Sequence, residues 1–88
     1  MIRDCKEGLE ILDAARKTYR AGEYRRALEM LSELAYYVTS TQRKPAGTPA
    51  EIETLRTGVR RALAGFQSCE NECVWESASS LFDLFRED

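Results

Sequence analysis

Eighty-eight residues, 43% of them apolar, suffice for one domain with a small core. Three cysteines and no histidine accompany a net charge of −2. The odd cysteine count argues against a secreted disulfide framework, and the missing histidine removes the commonest general base. No run of about 18 apolar residues occurs, so no membrane span is expected. The start, MIRDCKEGLE, is too charged for a signal peptide, which makes the cytoplasm the expected location.

Charge is unevenly spread. Residues 16–61 carry ten basic and five acidic side chains, whereas residues 62–88 carry one basic and six acidic. Packed helices of opposite charge would show this pattern. So would a basic surface that steers an acidic partner. Nucleic acid is a poor candidate, because the domain is acidic overall and lacks interleaved aromatic and basic residues.

In chain order, a first helix is predicted over about 4–20. Asp4 can cap it, with Glu7 at capping-box spacing. Leu9, Leu12, Ala15 and Tyr19 mark its apolar face, and Gly8 and Gly22 are its weak points. Gly22 accepts the left-handed conformation that ends a helix, so the chain can reverse there. A second helix follows over about 23–40. Its stripe of Tyr24, Ala27, Leu28, Leu31, Leu34, Ala35 and Val38 is widened by Met30 and Tyr37, with Tyr36 on a further flank. The two should form an antiparallel hairpin with Tyr24 wedged at the closed end. Residues 39–48 read as a linker, polar and punctuated by Pro45 and Gly47.

Helix three is predicted over about 49–70. Thr48, Pro49 and Glu51 supply cap, first-turn proline and capping box. Ile52, Leu55, Val59, Ala62, Leu63 and Phe66 form its inward face, and Gly58 and Gly65 allow close approach or bending. A fourth helix is predicted over about 72–86, with Val74, Ala78, Leu81, Phe82 and Phe85 inward. Asn71 could end one helix or cap the next. The rival is one continuous helix over 49–86. The expected fold is an all-α bundle of three or four helices.

Gly22-x-Tyr24-x-x-Ala27-Leu28 resembles the turn and second helix of a tetratricopeptide repeat over residues 11–38. Ala15 departs from that pattern, as do Leu31 and Leu34, and no second copy follows at the family's period. The same hairpin, followed by a linker and a third helix, is similar to the microtubule-interacting-and-trafficking domain; Arg61-Ala62-Leu63 departs from that family's terminal pattern. Residues 65–86 resemble, more distantly, the last helix of small bacterial flagellar and type III secretion export chaperones. These resemblances imply binding of a partner's peptide or amphipathic helix in a helix-lined groove.

The function expected is therefore a non-catalytic interaction module, small chaperone or adaptor. Its groove, beside helix two, would receive an amphipathic segment of another protein or of a second copy in a homodimer. Tyr24, Leu31, Tyr36, Tyr37 and Trp75 are the candidate apolar contacts. Arg25, Arg60 and Arg61 are the candidate rim; Arg56 joins the latter two on the outward side of helix three. No phosphate loop or nucleophile elbow is present, so neither catalysis nor a cofactor is expected. One alternative is a thiol- or metal-responsive regulator using Cys5, Cys69 and Cys73. Against it, the cysteines can simply be buried thiols, and a zinc site wants about four ligands. The other alternative is a nucleic-acid-binding helical domain.

Overall fold

The first helix starts where a carboxylate is free to cap it. Asp4 accepts a hydrogen bond from the Glu7 N–H at 2.8 Å, and α1 runs Cys5–Arg20. In the computed structural model, which describes residues 2–40, 45–68 and 72–85, three more helices follow: α2 Tyr24–Thr39, α3 Pro49–Gly65 and α4 Glu72–Phe82. Short 3-10 turns, Phe66–Ser68 and Asp83–Phe85, extend α3 and α4. The fold is a small all-α bundle, and no strand occurs among the described residues.

The α1–α2 reversal is a hydrogen-bonded stop. Gly22 has φ +86°. Its N–H donates to the Tyr19 carbonyl at 3.0 Å, and the Glu23 N–H donates to the Thr18 carbonyl at 3.2 Å. These two bonds make a Schellman motif, which satisfies carbonyls the helix end leaves without partners. Tyr24 packs its ring on Tyr19, centroids 5.0 Å apart, and Tyr19 meets Phe66 edge-on at the same separation. The Tyr19 hydroxyl donates to the Gly65 carbonyl at 3.1 Å, so the closed end of the hairpin also receives the end of α3.

At the start of α3 the capping box is complete in both directions. Thr48 Oγ1 accepts from the Glu51 N–H at 3.2 Å, and Glu51 Oε1 accepts from the Thr48 N–H at 2.9 Å.

The core lies along α2 and α3. Leu12, Ala15, Ala27, Leu31, Leu34, Ala35, Val38, Leu55, Val59, Leu63 and Phe66 are buried, and α4 adds Ala78, Leu81 and Phe85. Both α1 and α4 pack on the α2–α3 pair. Gly8 and Gly58 set how closely α1 approaches α3. A Cβ on Gly8 would stand 2.7 Å from Leu55 Cδ2, and one on Gly58 would stand 2.5 Å from Leu12 Cδ2. Each helix thus offers a leucine to a notch in the other. The matched order, 8 with 55 and 12 with 58, makes the two helices parallel.

Several expectations need correction. Gly8 is a packing notch rather than a weak point. Gly65 does not bend a longer helix: α3 stops there, and the backbone tightens into a 3-10 turn over Phe66–Ser68. The continuous helix over 49–86 is therefore not formed. Cys69 and Asn71 lie outside the described residues, as do linker residues 41–44 and the side chains of Cys73 and Val74. Among the described residues no helix is long and apolar enough to cross a membrane.

Candidate functional site

Polar groups meet shaped surface in several places. The first is the junction where α1 begins, α2 ends and α3 begins. The Cys5 N–H donates to the Ala46 carbonyl at 2.8 Å. The Ala46 N–H donates to the Tyr37 hydroxyl at 3.0 Å, and the Tyr37 and Cys5 side chains interact electrostatically. Burial pushes the Cys5 thiol above its ordinary value, and the Glu51 charge adds to the effect, opposed by the Tyr37 hydroxyl. Burial likewise raises Tyr37. Both groups are held neutral, and Cys5 is fully enclosed. A neutral, inaccessible thiol is a poor nucleophile. This junction fastens the loop after α2 to the start of α1.

The second place is an open cleft of about 650 Å3 between α2 and α4. Leu28 and Tyr36 come from α2 and Leu81 from α4. Glu29 and Glu33 stand on the α2 side, and Ser32, Ser77 and Ser80 complete the lining. Tyr36 is 60% exposed. It sits on the flank of α2 that neither α1 nor α3 covers, so its ring contributes little to the core.

The third is a cleft of about 760 Å3 between α3 and α4. Arg56, Arg60 and Arg61 project from α3 with Glu53, Thr57 and Ala64, and Phe82 and Phe85 close the α4 side. The Arg60 guanidinium lies over the Phe82 ring at 5.5 Å, and that of Arg56 over the Phe85 ring at 5.7 Å. Antiparallel packing of α4 on α3 creates both pairs.

Comparisons of the chain with protein-family models, curated proteins and solved structures give no match.

The eight candidate contacts do not converge on one groove. Tyr36 lies at the α2–α4 cleft, and Arg60 and Arg61 at the α3–α4 cleft. Leu31 is only 2% exposed; it faces inward from α2, lining a small cavity of about 220 Å3 that Ala15, Tyr19, Ala62 and Phe66 also line, and reaches neither cleft. Tyr37 is engaged at the loop junction, and Tyr24 on Tyr19. Trp75 is half-buried against the core. Arg25 is exposed in the first turn of α2 and lines neither cleft. Among the described residues no group of three or more Cys, Asp or Glu could hold a metal ion.

Sequence reasoning placed Phe82 and Phe85 inward and did not pair them with the arginines. The signal was available: arginines four apart on one helix and phenylalanines three apart on the next meet when the helices run antiparallel.

Proposed function

We propose that this protein is a non-catalytic interaction module that holds an amphipathic segment of a protein partner in the cleft between α2 and α4, as a small chaperone or adaptor would. The observation that carries the reading is Tyr36, a large ring 60% exposed at the cleft with Leu28 and Leu81. A tyrosine buries much area at small entropic cost, which is why such rings dominate binding hot spots. Glu29 and Glu33 beside it favour a segment whose apolar stripe is flanked by lysine or arginine.

The test is site-specific photo-cross-linking in native lysate. A photoreactive phenylalanine analogue at position 36 should capture a discrete protein, and excess unmodified protein should suppress the capture while Tyr36→Ala should not. The same analogue at Glu10, exposed on α1, is the control. Equal, unsuppressed labelling from both positions would overturn the reading.

A further inference from the structure

We propose that the α3–α4 cleft is a second binding surface, and that it takes an acidic peptide segment carrying both apolar and carboxylate side chains. This site is separate from the α2–α4 cleft and does not depend on it. Three of its charged lining residues are arginines and one, Glu53, is acidic, so the lining carries net positive charge in a protein that is acidic overall. Arg60 and Arg61 are exposed and make no ion pair among the described residues. Arg60 is also partly ordered in advance. Its place over Phe82 restrains a side chain that would otherwise lose much rotamer freedom on binding. A guanidinium held over a ring still has in-plane N–H donors for a carboxylate, in the fork geometry that binds such groups in two-point fashion. Ala64 and half-buried Phe82 add apolar surface to the same lining.

The same geometry disfavours nucleic acid. Bases bind single-strand sites by stacking on open aromatic faces. Here arginines lie over both phenylalanine rings, and Phe85 is only 5% exposed.

The experiment titrates the whole protein against three fluorescein-labelled synthetic helices, each of about 16 residues with leucines at i, i+3, i+4 and i+7. The helices differ only in flanking residues: glutamate, glutamine or lysine. The glutamate helix should bind best, and added salt should weaken it more than the glutamine helix. Arg60→Gln/Arg61→Gln should weaken the glutamate helix about tenfold or more while leaving the glutamine helix within about twofold. The fold should be retained: a cooperative thermal transition, with only a small fall in midpoint from the lost Arg60–Phe82 contact, should accompany the loss. Tyr36→Ala should not alter binding of the glutamate helix, which separates this surface from the other cleft. Equal affinity for the three helices, preference for the lysine helix, or no binding would each overturn the proposal. So would a labelled single-stranded RNA or a phosphopeptide that binds more tightly at the same arginines.

Discussion

Cys5 shows how a single side chain can report on the whole fold. Its thiol is enclosed and feels the Glu51 carboxylate, and its proton is held more tightly than in the unfolded chain. The Tyr37 phenol behaves alike. In both, the folded state keeps a proton that the unfolded chain gives up. Their stabilising effect is therefore complete below the ordinary values of 9.0 and 10.0 and declines as pH rises through them toward the folded-state values. Urea unfolding followed below and above pH 9.0 should show stability falling on the alkaline side, and Cys5→Ala should reduce that fall. An identical alkaline loss in the variant would show that the thiol plays no part. Tyr37 also shows what residue-by-residue reading misses. On a helical wheel it widens an apolar stripe and suggests a contact for a partner. Its hydroxyl instead accepts from the Ala46 N–H, a partner that only the folded loop brings within reach.

At the scale of the helix, the sequence was most legible where a boundary has its own local chemistry. Thr48, Pro49 and Glu51 define the start of α3 without help from the rest of the chain, and Gly22 defines the stop after α1. The end of α3 was not legible, because it depends on Phe66 turning into the core and Tyr19 donating to the Gly65 carbonyl. Those are tertiary facts that residues 60–70 do not encode locally. At Gly22 no atom would crowd a Cβ, so the cost of a side chain there is conformational alone. Gly22→Ala should destabilise the protein by about 1 kcal/mol, read as a lower urea midpoint with unchanged slope. A neutral result would mean that the turn can re-form without a left-handed residue.

For the molecule as a whole, three- and four-residue spacing picked out the centre of each buried face: Leu12 and Ala15 in α1, Leu31, Leu34 and Ala35 in α2, Leu55, Val59 and Leu63 in α3, Ala78 and Leu81 in α4. Leu9, Tyr19, Ile52 and Phe82 lie at half-buried margins. That is why the all-α bundle was legible. The docking surfaces were not. Periodicity tells which residues leave the surface, but clefts form where two helices diverge, and that depends on the angle at which α4 crosses the α2–α3 pair. The tight α1–α3 approach has its own test. Gly58→Ala gains about 1 kcal/mol of helix propensity but must displace Leu12, so a net loss of about 1 kcal/mol is expected. Gly65→Ala meets no atom within 4 Å and should be neutral or stabilising by about 0.5 kcal/mol. Thermal melts of the two variants should move in opposite directions or, at the least, only the first should fall.

The paired notches between α1 and α3 carry an implication for descent. Leu55 fits because position 8 lacks a side chain, and Leu12 fits because position 58 does. A lineage could enlarge one member of either pair only while shrinking its opposite. Positions 8 with 55 and 12 with 58 should thus vary as coupled small–large exchanges, a signature by which distant kin of this chain could be recognised after the rest of the surface had drifted.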